Sequence, residues 1–349
     1  MFAKVKNLAL VFVMAGGFAM SSVALAQTAP DVAKQAAQKQ VEQPLNNAPV
    51  WKEVRKSDPT NMTTTSRNPE ANVLIQSEGL TWRQVRNGPI TLYGGTLVAL
   101  MLAAVAMFYK KVGTIKLKNG PSGKIMQRFS NRERFMHWAT AISFSILGIS
   151  GLILFFGKHI LQPVLGYTLF SWLARLSITL HNFVGPVFFL CAIGLFFTFV
   201  RDNFFKPHDL TWLRKGGGLA TGEHVPSDRF NAGEKIWFWG GLALLGIVVS
   251  LSGLVLDFPN FAQTRGVMQI ANIIHVVGAL LFIIGSIGHI YIGTLGMEGA
   301  YKGMRDGVVD EAWAKEHHEY WYDDVKSGKI KPVDTGGTDA TPPPQQAKA

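Results

Sequence analysis

Five long apolar runs dominate the pattern of hydrophobic and polar positions along the chain. They lie at residues 90–109, 137–157, 178–200, 236–256 and 270–292. A helix rises about 1.5 Å per residue, so about 20 apolar residues cross the ~30 Å hydrocarbon core of a bilayer. The pattern therefore predicts five membrane-spanning helices in an all-α, polytopic membrane protein.

The chain before the first run reads as a processed leader followed by an extended arm. Residues 1–26 combine Lys4 and Lys6, a short apolar stretch and a small-x-small site that ends at Ala26. This arrangement is typical of a cleaved bacterial secretory signal peptide, with an uncleaved first span as the alternative. Residues 27–89 are polar and aperiodic, which predicts a mostly extended extracytoplasmic arm.

Composition and charge fix the class and the orientation. The chain is 48% hydrophobic and 16% charged with a net charge of +11, which excludes two ordinary soluble domains. Two of the loops between runs carry eight and six basic residues, and the other two carry two and one. Basic loops stay in the cytoplasm, so we expect a periplasmic mature N-terminus, a cytoplasmic C-terminus and a location in the bacterial inner membrane. These basic residues then lie beside membrane lipid, so the net charge does not indicate a nucleic-acid partner. Residues 110–128 become a cytoplasmic linker, and residues 326–349 a disordered cytoplasmic tail.

Four histidines in the apolar runs sort into two pairs by depth. His275 and His289 are 14 residues apart in the last run, which places them about 21 Å apart and within ~40° of one helix face. The topology puts His181 at the outer depth of His275, and His137 at the inner depth of His289. Neutral imidazole is a standard axial ligand of heme iron. The pattern therefore predicts two non-covalent b hemes, held by an outer pair (His181, His275) and an inner pair (His137, His289).

Other chemistry fits the sequence less well. A lone histidine in a span is more often a packing residue, but such ionisable residues are rare inside membranes, and four that pair by depth are hard to obtain by chance. The single Cys191 excludes a disulfide, a covalent heme motif and an iron–sulfur cluster held by this chain alone. The runs contain almost no carboxylates, which argues against a transporter. His317 and His318 are adjacent and are expected on a solvated helix face.

At this point the residues resemble a known family, the gamma subunit of respiratory formate dehydrogenase, which is a membrane cytochrome b. The motifs are RERFMHW at 132–138, LHNFVGP at 180–186, RFNAGEKIWFW at 229–239, IIHVVG at 273–278, and GHIYIGTLGMEGAYKGM followed by WAKEHHEYWY between 288 and 322. The resemblance covers residues 129–325. It implies a four-helix di-heme membrane domain, to which residues 90–109 add an extra N-terminal transmembrane helix.

The resemblance implies the same heme ligands that depth alone gives. His181 and His275 would hold the outer heme iron, and His137 and His289 the inner one. It also implies two partners, an iron–sulfur beta subunit and a molybdenum or tungsten catalytic alpha subunit. The chain itself would not oxidise formate but would pass electrons through the hemes to quinone.

A quinone site is the further implication. In the family it lies beside the inner heme, and here it maps on Asn231, Ala232 and Gly233, with His289 able to contact a menaquinone or ubiquinone while it ligates iron. Glu234 stands where shorter members carry Gln. The same residues also read as a helix start, with Asn231 as the capping residue.

Two alternatives stay open on the sequence. The cytochrome b subunit of a hydrogenase or a related oxidoreductase would have the same electron route through two hemes but another electron donor. A heme-free membrane anchor would use the histidines only for packing, and its visible spectrum would be blank.

Overall fold

The computed structural model describes Arg55 and residues 77–218 and 223–330. Residues from Ser77 onward belong to one compact unit. The predicted signal peptide, the arm as far as residue 76 and the tail from residue 331 lie outside the described residues, apart from Arg55.

Five helices among the described residues are long and apolar enough to cross a membrane, as predicted. They are the first to fifth spans: Glu78–Val112, Asn131–Ile160, Gln162–Asn203, Ala232–Asp257 and Arg265–Gly296. The polytopic, helical fold class is confirmed. Each span is longer than its apolar run because a helix continues past its apolar centre into polar turns that hydropathy does not register.

Several spans are composites of helix types. The first consists of α1 (Ser77–Val85), a π-helical turn (Arg86–Ile90) and α2 (Thr91–Val112). The second is α3 (Asn131–Ile160), and the third is α4 (Gln162–Phe199) with a 3₁₀ turn (Val200–Asn203). A short α5 (Pro207–Arg214) and a 3₁₀ turn (Gly216–Gly218) follow. The fourth span joins α6 (Ala232–Ile236), a π-helical segment (Trp237–Leu245) and α7 (Gly246–Asp257), and the fifth joins α8 (Arg265–Tyr291) to a π-helical turn (Ile292–Gly296).

Two predicted irregular segments are in fact helical. Residues 77–89, assigned to the extended arm, form α1 and most of the π-helical turn, so the first span begins before its apolar run. The loop predicted between the second and third spans is largely the start of α4. Pro163 lies in the first turn of α4, where the missing N–H costs nothing, and the one break in helical geometry is at Gly166, where φ is 73°.

The C-terminal segment folds against the ends of the spans as a small cap. Strand β1 (Ile125–Gln127) pairs antiparallel with β2 (Val308–Asp310), and the cap also contains α9 (Ala300–Asp306), α10 (Glu311–His317) and α11 (Glu319–Lys326). Its core is built on Trp313 and Trp321, 2% and 3% exposed. The predicted linker therefore supplies a strand.

The predicted start of the disordered tail is wrong for its first residues. Lys326 ends α11 and donates to Glu311 at 2.6 Å, and Lys329 donates to Asp324 at 2.8 Å. These contacts tie residues 326–330 to the cap.

Three phenylalanines, two of them buried and one partly buried, pack together in the middle of the bundle. Phe144, Phe188 and Phe282 have ring centres 4.6 to 6.2 Å apart. Each lies seven residues beyond a histidine of its own span, or about 10 Å along the helix axis. The cluster therefore fills the space between the outer and inner pairs.

Candidate heme sites

The outer pair meets across the third and fifth spans. The imidazole centres of His181 and His275 are 6.0 Å apart. An imidazole nitrogen binds a first-row metal at about 2.0–2.1 Å, so two imidazoles on opposite sides of one ion have ring centres roughly 6 Å apart. The two rings thus have the spacing of a bis-histidine site.

Hydrogen bonds leave one nitrogen of each outer histidine available. His275 Nδ1 lies 2.9 Å from the Val249 carbonyl, which can only accept, so Nδ1 carries the proton. His181 Nδ1 lies 2.9 Å from Ser150 Oγ, which already donates to the Ile146 carbonyl at 2.7 Å. Ser150 must therefore accept from Nδ1–H. Both Nε2 atoms keep their lone pairs, which is the tautomer that a metal-binding histidine needs.

The residues that support the two outer histidines belong to two copies of one short sequence pattern. Ser150 and Gly151 occur in ISGLIL of the second span, and Ser252 and Gly253 occur in LSGLVL of the fourth. Ser252 Oγ lies 3.2 Å from His275 Nδ1. A Cβ on either glycine would meet the adjacent imidazole Cε1, at 3.3 Å for Gly151 and 3.1 Å for Gly253. The pattern thus positions each imidazole from the neighbouring helix, a role that sequence reasoning missed although the repeat was visible.

A cavity of about 420 Å³ opens between the outer histidines. Its walls are mostly apolar, and His181 and His275 both line it together with the phenylalanine cluster. Ser250 Oγ and Asn272 Oδ1 also belong to lining residues, and both atoms are buried without a hydrogen-bond partner. Buried polar atoms are almost always paired in folded proteins. The unpaired atoms, the volume and the free nitrogens all fit a bound prosthetic group.

The inner pair meets across the second and fifth spans. The ring centres of His137 and His289 are 6.3 Å apart, again the spacing of two axial ligands. His137 Nδ1 is buried without a partner. Trp237 stacks on His289, with ring centres 5.3 Å apart and planes 18° apart. Trp237 opens the π-helical segment of the fourth span, and such segments occur frequently at functional sites; hydropathy gave no sign of it.

Comparison with known proteins decides the family. The model of the family described as prokaryotic cytochrome b561 matches residues 128–307, more than half of the chain. The chain belongs to the prokaryotic cytochrome b561 family. Membership makes heme b its cofactor, and the matched region of this cytochrome contains all four histidines. The first span lies outside the match.

Relatives of this cytochrome carry specific names. The formate dehydrogenase cytochrome b556(fdo) subunit of Escherichia coli K12 is 33% identical over 203 residues, which cover 57% of this chain and 92% of that protein. The nitrate-inducible formate dehydrogenase cytochrome b556(Fdn) subunit of the same strain is 29% identical over 219 residues, covering 60% and 95%. The formate dehydrogenase cytochrome b556 subunit of Haemophilus influenzae is 26% identical over 209 residues, covering 57% and 82%.

In this cytochrome the residues predicted for quinone form a helix cap. Asn231 Oδ1 accepts from the Glu234 N–H at 3.0 Å, and Glu234 Oε2 accepts from the Asn231 N–H at 2.8 Å, which completes a capping box. Ala232 is fully buried. Trp237, one turn after Gly233, links this helix start to His289. The capping role of Asn231 predicted from the sequence is confirmed.

A buried polar network connects the cap to this helix start. Arg128, 4% exposed, donates to Glu234 Oε1 at 3.2 Å and to His318 Nε2 at 3.0 Å. Because Arg128 can only donate, Nε2 accepts, and His318 Nδ1–H donates to the Asp228 carbonyl at 2.6 Å. His318 is 1% exposed, so the prediction of a solvated face is wrong for it. Burial, reinforced by the Arg128 charge, holds the pKa of His318 well below its ordinary value.

A second buried cluster lies beside this network. His208, Asp209 and Asp228 have metal-ligand spacing, but Lys235 lies among them, fully buried, with Nζ 2.7 Å from Asp209 and 3.2 Å from Asp228. The ammonium group supplies the positive charge that the buried Asp209 carboxylate and the partly buried Asp228 carboxylate require. Ion pairing therefore accounts for this cluster without a metal.

Proposed function

We propose that this chain is the membrane cytochrome b subunit of a formate dehydrogenase complex. The observation that carries the proposal is the spacing of the two histidine pairs, 6.0 and 6.3 Å between ring centres, with the outer Nε2 atoms free. The 33% identity with a formate dehydrogenase cytochrome b556 subunit over 92% of its length supports the assignment to that complex.

In this proposal the chain holds two b hemes, one at each pair. His181 and His275 would hold the outer iron, and His137 and His289 the inner one. When bound, the hemes supply one-electron redox centres at two depths. The hydrogen bonds at Nδ1 of the outer histidines keep Nε2 deprotonated and the rings oriented. The phenylalanine cluster excludes water from the space between the pairs.

The proposed orientation makes the chain a route across the inner membrane. Electrons would enter at the outer pair from an extracytoplasmic iron–sulfur subunit, which receives them from a molybdenum or tungsten subunit that oxidises formate. They would leave at the inner pair and reduce quinone. The two loops with eight and six basic residues support a cytoplasmic location of the inner end.

The proposed quinone site lies beside the inner pair, around Asn231, Ala232, Gly233, Glu234 and His289. Support comes from Trp237, which stacks on His289 and starts one turn after Gly233. In the capping box, Asn231 Oδ1 and Glu234 Oε2 already accept from backbone N–H groups. The polar groups left for a quinone are the Asn231 side-chain N–H₂, which would donate to a quinone carbonyl, and Glu234 Oε1, which is paired with Arg128 and would meet the quinone protons. Protons would come from the cytoplasmic side.

Heme counting tests the proposal. The full chain, expressed with a heme supply and purified, should contain two b hemes per polypeptide in a reduced-minus-oxidised spectrum. His275→Ala and His181→Ala should each remove the same heme, and His289→Ala the other. His159→Ala, at the end of the second span and outside both pairs, is the matched control and should keep both. A preparation without Soret absorption would refute the proposal.

The donor is tested on the whole complex. Formate added to membranes that contain the complex should reduce the hemes, and a catalytic molybdopterin subunit should co-purify. Reduction by dihydrogen but not by formate, with a nickel subunit present, would instead favour a hydrogenase cytochrome b.

A further inference from the structure

One cationic side chain lines the outer cavity, and it comes from outside the region that the family model matches. Arg86 lies in the π-helical turn of the first span, and its side chain belongs to the cavity wall together with His181 and His275. The family match begins only at residue 128. The extra helix therefore contributes a charged group to a site that the other four spans build.

Arg86 has no anionic partner in the part of the chain that the structure describes. Its Nη1 donates to the neutral Asn87 Oδ1 at 2.8 Å, and its guanidinium carbon lies 4.9 Å from the Phe155 ring centre and 6.0 Å from that of Trp82. Asp257 lines the same cavity but forms no ion pair with Arg86. A partly buried charge at membrane depth is costly unless it is paired. The site thus has room for an anion.

The packing of the first span against the bundle positions Arg86 at the cavity. Two glycines about two turns further along allow close packing: a Cβ on Gly95 would lie 3.1 Å from Phe156, and one on Gly94 would overlap Leu280, itself a cavity residue. Thr91, the first residue of α2, donates its hydroxyl to the Arg86 carbonyl at 2.7 Å, and Pro89 inside the π-helical turn lacks an N–H. The turn rotates Arg86 relative to α2, and π-helical turns are frequent at functional sites.

We propose that Arg86 is the counter-charge for the carboxylate edge of the heme at the outer pair. Heme b carries two propionate carboxylates, and an arginine fork pairs with a carboxylate through two parallel hydrogen bonds. Phe155, the nearer of the two rings beside the guanidinium, lines the same cavity. This inference rests on the proposed function, which places a heme between His181 and His275.

The test compares Arg86→Gln and Arg86→Lys with Arg83→Gln. Arg83 lies in the same span, is exposed and does not line the cavity, so its substitution removes the same charge from the same end. The readouts are heme content per polypeptide and a redox titration of both hemes in the purified full chain. The outer heme is identified as the one missing in His275→Ala.

Arg86→Gln should lower the reduction potential of the outer heme alone. Reduction of the heme adds negative charge, which the Arg86 cation stabilises. Loss of this cation should decrease the equilibrium constant for reduction about tenfold, which corresponds to a potential lower by about 59 mV for one electron. Arg86→Lys should give a smaller shift because it keeps the charge but loses the fork. Arg83→Gln should leave both potentials unchanged.

Contrary results separate this inference from the function on which it rests. Two hemes with unaltered potentials in Arg86→Gln, or an equal shift in Arg83→Gln, would overturn the role of Arg86 and leave the heme assignment standing. A wild-type chain without heme would overturn the proposed function itself. If Arg86→Gln loses both hemes, Arg86→Lys decides: wild-type potentials and occupancy in it would contradict a bidentate carboxylate contact.

Discussion

At the scale of single residues, the nitrogen that a histidine leaves free decides what it can bind. His181 and His275 each commit Nδ1 to an acceptor on the neighbouring span, so both present Nε2 to the cavity. The supports differ in one respect. His275 has the Val249 carbonyl at 2.9 Å in addition to Ser252, whereas the close partner of His181 is the Ser150 hydroxyl at 2.9 Å, with the Leu147 carbonyl only as a further contact.

This difference gives a graded prediction. Ser150→Ala should lower heme occupancy at the outer pair, because loss of an acceptor behind a metal-bound histidine costs about 10–100-fold in metal affinity. Ser252→Ala should have a smaller effect, since the Val249 carbonyl still accepts from Nδ1–H. The retained outer heme should have a raised potential, because its ligand becomes a weaker electron donor. Heme content and redox titration measure both effects.

Two further variants control this experiment. Ser145→Ala removes an exposed serine of the same helix whose hydroxyl bonds only to the Ala141 carbonyl, and it should change neither occupancy nor potential. Ser150→Thr keeps a hydroxyl and should restore part of the occupancy. Equal behaviour of Ser150→Ala and Ser145→Ala would show that the serine merely packs.

The residues that sequence reasoning found and missed differ in the kind of information they need. Histidine depth follows from topology alone, so both pairs were predicted together. The contacts of Ser150, Ser252 and Trp237 depend on how each helix is rotated about its axis, which hydropathy does not contain. Arg86 required the further knowledge that the extra helix packs beside the outer cavity.

At the scale of elements, the fifth span is the common support of both sites. It supplies His275, Phe282 and His289 at intervals of seven residues, so one helix face contributes a ligand, a spacer and a second ligand. The other ligands come from the second and third spans. Each site therefore requires that helices far apart in sequence be packed before it is complete. The number of spans was predictable because each has a long apolar centre, whereas their ends and the π-helical segments were not.

The cap should respond to acid through His318, which is buried, and His317, which is partly buried. Burial, with smaller contributions from Arg128, His224 and Lys118, lowers the pKa of His317 to about 4, and the pKa of His318 is also well below its ordinary value. The unfolded cap binds a proton on each histidine as the pH falls below about 6.5, while the folded cap does not, so folding stability decreases below that pH. Above it these histidines add no pH dependence.

Hydrogen exchange of the amides around Trp313 and Trp321 measures this effect. Once intrinsic exchange rates are corrected, protection should be lower at pH 5.0 than at pH 7.5. His318→Gln, whose amide can accept from Arg128 and donate to the Asp228 carbonyl, should reduce the difference between the two pH values. Equal protection at both pH values in the wild-type chain would contradict the buried neutral histidine.

At the scale of the whole molecule, the direction of electron flow depends on which end of the bundle faces the cytoplasm. The cap and the inner pair are at one end, together with the loops that carry eight and six basic residues. Several of these side chains are internally paired: Arg229 with Glu133 and Asp202, and Lys235 with Asp209. Pairing does not weaken the argument, because orientation follows the number of Lys and Arg residues near the spans and not the net charge.

A reporter fused after the C-terminal residue tests this orientation. Green fluorescent protein folds in the cytoplasm, and alkaline phosphatase is active only where its disulfides form, in the periplasm. The first fusion should be fluorescent and the second inactive, because the proposed orientation puts the C-terminal residue in the cytoplasm. A control fusion after Gly166, at the break in α4 near the start of the third span, should give the opposite pair of results. An active C-terminal phosphatase would show that the chain has the opposite orientation in the membrane. His137 and His289 would then lie nearest the periplasm, and quinone reduction there could not take protons from the cytoplasm.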